Sequence, residues 1–120
     1  MRLIAQILVA LVALAHLWFF VLETFLWTKP LGLRTFGHSL EKAQDSAVLA
    51  ANQGLYNGFL AAGLIFGLLY PEPRAGLHIQ IFFLVCVIAA GAYGGYFVSP
   101  KILAVQAAPA LIALVLLWLA

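Results

Sequence analysis

Apolar residues in this chain neither alternate with polar ones nor gather in short patches. They come in four long runs: Leu3 to about Trp27, about Ala47 to Tyr70, about Leu77 to Val98, and about Ile102 to Leu119. An α-helix rising about 1.5 Å per residue needs about 20 such residues to cross a bilayer core. The runs therefore predict four transmembrane helices, over about 3–27, 47–70, 77–98 and 102–119, in a single integral membrane domain of residues 1–120. The second run is closed by "PEPRAG" and the third by "SPK". Links that short force neighbouring helices to run antiparallel. The longer loop, Thr28 to Ser46, reads "TKPLGLRTFGHSLEKAQDS". Gly32 and Gly37 predict irregular backbone in its first part. Ser39 or Ser46 is placed to cap a helix entering the second run. The expected fold is all-α: a four-transmembrane-helix antiparallel bundle with one longer loop between helices 1 and 2.

Composition agrees with the pattern. Hydrophobic residues make up 66% of the chain and charged ones 8%, with a mean hydropathy of +1.11; a soluble domain carries about 25% charge. The net charge of +2 is too small, and its carriers too scattered, for a nucleic-acid partner. A lone cysteine, Cys86, excludes an internal disulfide. Arg2 followed by an apolar run and "ALA" at Ala13 to Ala15 has the outline of a signal peptide. The run continues through Leu22 instead of turning polar, so a retained first helix is expected. Lys29, Arg34, Lys42 and Lys101 fall in the first and third loops, against Arg2 and Arg74 on the other side. That bias predicts a multi-pass protein of the cell (inner) membrane with cytoplasmic first and third loops and both termini outside.

With four antiparallel helices, the polar residues inside the runs collect at one depth. Glu23 ends the first run, Asn52, Gln53, Tyr56 and Asn57 fall in the first half of the second, Tyr93 and Tyr96 end the third, and Gln106 begins the fourth. Asn52 with Tyr56 and Gln53 with Asn57 are i,i+4 pairs, which together make one broad polar stripe. Lipid cannot satisfy a carboxamide, so the stripe must face protein, water or a ligand. Asn and Gln also serve as interhelical glue worth about 0.6 kcal/mol each, but this many polar groups at one depth exceed what packing needs. The expected site is a cleft near one leaflet, lined by Glu23, Asn52, Gln53, Tyr56, Asn57, Tyr93 and Gln106.

Glu23 lies near the end of its run, where a carboxylate can either reach interfacial water or, if buried, carry a proton. Trp27, one turn on, suits an interfacial anchor. His16, two turns before Glu23, is a candidate relay to it, with a histidine bonded to a neighbouring carbonyl as the plainer reading. His16, His38 and His78 sit at three depths and form no metal site. Neither a nucleotide fingerprint nor any other cofactor motif is present. Gly54-x-x-x-Gly58, Gly63-x-x-x-Gly67 and Gly91-x-x-x-Gly95 fit the small-xxx-small pattern, which implies close packing within the bundle or, second, a homodimer seam. Pro109 frees the carbonyl of Val105 and predicts a kink just past Gln106.

The stretches "HLWFFVLETFLWT" and "LAANQGLYNGFLAAGL" and the link "SPKI" resemble the small bacterial membrane family catalogued as domain of unknown function thirteen-oh-four. The resemblance covers nearly the whole chain. It implies a four-helix integral membrane protein and little about chemistry, so no catalytic role is carried over from it.

Three functions fit these residues. The first is binding or transport of a small polar, neutral or zwitterionic solute in the cleft, with Glu23 coupling protons. The second is a membrane-embedded, isomerase-like enzyme on a lipid or isoprenoid substrate, with Glu23 and His16 as acid and base. The third is an accessory or assembly subunit whose polar stripe docks a partner helix. The expected partners are the lipid bilayer, a small-molecule ligand and a second copy of the chain.

Overall fold

A computed structural model describes all 120 residues, Met1–Ala120. The chain is all-helical: α1 Arg2–Thr24, α2 Pro30–Phe36, α3 Leu40–Leu69, α4 Pro73–Phe97 and α5 Pro100–Leu119. Three of these, α1, α4 and α5, are long and apolar enough to cross a membrane. This is a membrane protein by that measure. α3 is the longest helix, at 30 residues, and carries the three carboxamides of the polar stripe in its apolar part.

Helix boundaries differ from the expected ones for identifiable reasons. The first run stops being helical at Thr24 and turns through Phe25–Lys29, where the amides of Phe25 and Leu26 both reach the Val21 carbonyl. The stretch expected to be irregular forms α2. Pro30 supplies the fixed φ of a first helical position, and Gly37, at φ +67°, closes the helix in the left-handed region with its amide on Leu33 O. Gly32 is required inside α2, because a Cβ there would collide with the Leu26 carbonyl. α3 begins at Leu40, ahead of the apolar run, because the Ser39 hydroxyl accepts from the Lys42 amide (3.2 Å) and caps it. Ser46 lies within α3 instead, donating to Lys42 O at 2.8 Å. In α5 the proline's missing N–H is absorbed by a π-helical turn over Leu103–Ala107, in which Ala108 N bonds Leu103 O.

The chain forms two compact units, Ala15–Phe59 and Met1–Leu14 with Leu60–Ala120. In the larger, α1 contributes Ala5, Val9, Val12 and Ala13 at helical spacing to a core completed by Leu64, Leu84, Val87, Ala110, Ala113 and Leu117. Glycines set its helix spacing. A Cβ on Gly91 would come within 2.6 Å of Ala107 N, and one on Gly67 within 3.0 Å of Gln80 N; Gly63 faces the Phe83 ring. These register points run in opposite directions along the partners, so α3 and α4, and α4 and α5, pack antiparallel. The smaller unit pairs the end of α1 with the start of α3, also antiparallel. The small-xxx-small faces of the sequence are thus occupied by packing within the chain.

Candidate functional site

Within Ala15–Phe59, two glycines bring α1 and α3 together. A Cβ on Gly54 would lie 2.5 Å from Thr24 Oγ1 and 2.9 Å from Glu23 Cβ, and one on Gly58 3.3 Å from the Phe20 ring. Asn57, next to Gly58, is buried. At this helix separation its Nδ2 donates to Glu23 Oε1 at 2.5 Å. One turn toward the loop, Thr24 Oγ1 donates to Ala51 O (3.4 Å), and beyond it Trp27 Nε1 donates to Ser46 Oγ (3.1 Å). Trp27 also carries the loop: its ring lies 4.7 Å from Phe36 and 4.5 Å from His38. The polar groups at the end of α1 are therefore each matched by one on α3.

The structure brings together two of the seven expected site residues, Glu23 and Asn57. Asn52 and Gln53 are exposed along α3, as is Tyr56, 59% exposed with its ring edge-on to Phe59. Tyr93 and Gln106 belong to the other unit. Tyr93 is exposed and packs on Phe97 at 4.5 Å, and Gln106 is half-buried in the π turn. His16 is buried edge-on to Phe19, and precedes Glu23 by seven residues, about 10 Å along the helix axis. No three His, Cys, Asp or Glu side chains converge to hold a metal ion.

The Glu23–Asn57 pair has a definite chemical capacity. The carboxamide occupies one carboxyl oxygen and leaves Oε2 for a second donor, whether from a solute or as the position of a proton. Asn57 cannot take that proton itself, so exchange at Glu23 has to come from its half-exposed side.

Sequence reasoning passed over a second polar site, which lies wholly within the larger unit. Arg2, Gln6, Tyr70 and Gln80 line an open recess of about 160 Å³ together with Gly67, Pro73, Gly76 and Leu117. Gln80 is buried, and its Nε2 donates to Gly67 O at 3.2 Å. Pro71, four residues after Gly67, has no N–H to serve that carbonyl, and the Gln80 amide takes its place. That pairing of a proline with an upstream carbonyl, and a lone glutamine in "HIQIF", were the available signals.

Residues 10–118 match the family described as "Protein of unknown function (DUF1304)". A curated relative, "Uncharacterized protein YpaA" of Lactococcus lactis subsp. lactis (strain IL1403), is 33% identical over 117 residues, covering 96% of this chain and 97% of its own. No solved structure gives a significant match.

Proposed function

The chain belongs to the DUF1304 family, a family defined without an activity, and we propose that it binds a small polar solute at a membrane-embedded site centred on Glu23 and moves it with a proton. The observation that carries the reading is the Asn57–Glu23 hydrogen bond. A carboxyl held by one neutral amide, with its other oxygen open, is suited to take a donor from a neutral or zwitterionic solute and to exchange a proton. Asn52, Gln53 and Tyr56, exposed along α3 in the same unit, supply further polar groups for such a solute.

In this reading α3 is the fourth membrane helix of an antiparallel bundle. Its 30 residues reach about 45 Å, enough to cross a ~30 Å hydrocarbon layer. Its low apolarity comes from the same carboxamides that form the site. The first and third loops face the cytoplasm of a cell membrane, following the Lys and Arg bias. Thiol labelling of single cysteines at Ser39 and Lys101, in a Cys86→Ser background, tests both points, with reaction from the cytoplasmic side expected for each.

Proteoliposomes enclosing a pH-sensitive dye test the activity. A solute from a panel of amino acids, polyols and amides should drive proton movement in the native protein and none in Glu23→Gln. No solute-dependent proton movement and no solute binding across the panel would overturn the proposal. The exposure of Asn52, Gln53 and Tyr56 supports a second reading, in which this row docks a partner helix. A stoichiometric partner that is lost on Asn52→Leu/Gln53→Leu would favour it.

A further inference from the structure

We propose that the recess lined by Arg2, Gln6 and Gln80 holds the headgroup of a phospholipid whose phosphate ester carries a hydrogen-bond donor, as glycerol and ethanolamine esters do. Its polar inventory is asymmetric. Arg2 offers only donors, in a planar fork that fits a phosphate. Gln80 offers an unused acceptor: one N–H of its Nε2 is committed to Gly67 O, and its buried Oε1 has no protein partner. Gln6, half-buried, can serve in either sense. A ligand that matches this arrangement brings an anionic oxygen to Arg2 and an N–H or O–H to Gln80. Choline, with a quaternary nitrogen, brings the first and lacks the second.

Size and place agree with a headgroup. The recess of about 160 Å³ has room for about five waters at ~30 Å³ each. Its polar lining comes from about the first two turns of α1 and α4, two helices apolar enough to cross a membrane, and from the end of α3. Such helix ends lie where lipid phosphates lie. Immediately after Gln80 and Leu117 in the chain, Ile81 and Trp118 begin a wholly apolar depression of about 370 Å³, shared with Val85 and Leu114. A lipid anchored by its phosphate can lay an acyl chain on such a surface, which belongs to α4 and α5, two of the helices that line the recess; a soluble phosphate ester has no use for one. That apolar surface is the reason for choosing the lipid.

Native mass spectrometry of the detergent-solubilised full chain, with phosphatidylglycerol, phosphatidylethanolamine and phosphatidylcholine added in turn, tests the assignment. The first two should be retained about fivefold more than the third, the value of roughly one hydrogen bond. Arg2→Gln, at an exposed position, should lower retention of all three. Gln80→Met should remove the preference while leaving phosphatidylcholine unchanged. Equal retention of the three lipids by the native protein, or retention indifferent to Arg2→Gln, overturns the proposal. Glycerol phosphate or phosphoethanolamine binding as tightly as the matching lipid also overturns it, since the occupant would then be a soluble ester.

Discussion

Asn57 and Gln80 are both carboxamides buried on long helices, and each donates one hydrogen bond, but they serve different acceptors. Asn57 serves a side chain, the Glu23 carboxyl. Gln80 serves a backbone carbonyl, Gly67 O, that proline has deprived of its usual donor. A backbone orphan at a helix end is an obligation of the fold, and some donor must meet it. A carboxyl on an otherwise apolar helix carries no such obligation; leucine there would spare the chain both the acid and the amide. The contrast separates polar groups that repair the structure from those kept for another reason. The Oε1 of Gln80, buried and without a protein partner, falls outside the repair, and Gln80 is among the residues that line the recess.

The comparison breaks if the two amides respond alike to removal. Asn57→Leu leaves the Glu23 carboxyl facing an apolar side chain, and should cost about 2–3 kcal/mol in equilibrium unfolding from mixed micelles. Replacing both residues, Glu23→Leu with Asn57→Leu, should recover about half of that loss, because no unpaired polar group remains. A double variant no more stable than Asn57→Leu would mean that the pair holds the fold and is not an addition to it. Gln80→Leu should cost less, about 1 kcal/mol, since water in the recess can reach the Gly67 carbonyl that it abandons. A loss as large as that of Asn57→Leu would remove the distinction.

How legible this was in the sequence follows from the same two residues. The apolar runs and the short breaks between them pointed to long antiparallel helices, because hydrophobic length and proline punctuation act locally. The depth of Glu23 and Asn57 was readable too, being a count along each helix. Which of three carboxamides meets the acid was not, because that depends on the rotation of α3 against α1, and Gly54 and Gly58 set it through contacts with Phe20, Glu23 and Thr24. α2 was hidden because seven residues with a proline first and a glycine third show no helical period. Its signals were Pro30 at its first position and Gly37 just after it, and its packing comes from Trp27. The recess was least legible. It is assembled from the ends of separate helices, and no single stretch of sequence contains it.

A smaller effect sharpens the comparison in the unit that holds Asn57. Ser46→Ala removes the acceptor of the Trp27 indole N–H. The half-exposed ring can turn toward water, so the cost should be about 0.5–1 kcal/mol. Trp27 fluorescence, isolated by replacing Trp18 and Trp118 with Phe, should shift as its hydrogen bond is exchanged for water. An unchanged spectrum would show that the aromatic contacts with Phe36 and His38, rather than the serine, hold the ring in place.

The smallest effect lies at the start of α4, beside the Gln80 region, where an acid serves backbone orphans in the open. The Glu72 carboxylate accepts from the amides of Ala75 (2.7 Å) and Arg74 (3.0 Å), and these two bonds, helped by His78, hold its pKa below the ordinary 4.5. Because the folded value lies below the unfolded one, the cap's contribution is complete above pH 4.5 and is lost as pH falls through the lowered value. Full exposure to water keeps that contribution small. Amide chemical shifts of Arg74 and Ala75 in micelles should follow one titration whose midpoint lies below 4.5, and Glu72→Gln should flatten both curves. A midpoint at or above the ordinary value would mean that the carboxylate gains nothing from the amides. The start of α4 would then rest on Pro73 alone, and Glu72 would not belong with Gln80 among the groups that answer a helix's unpaired ends.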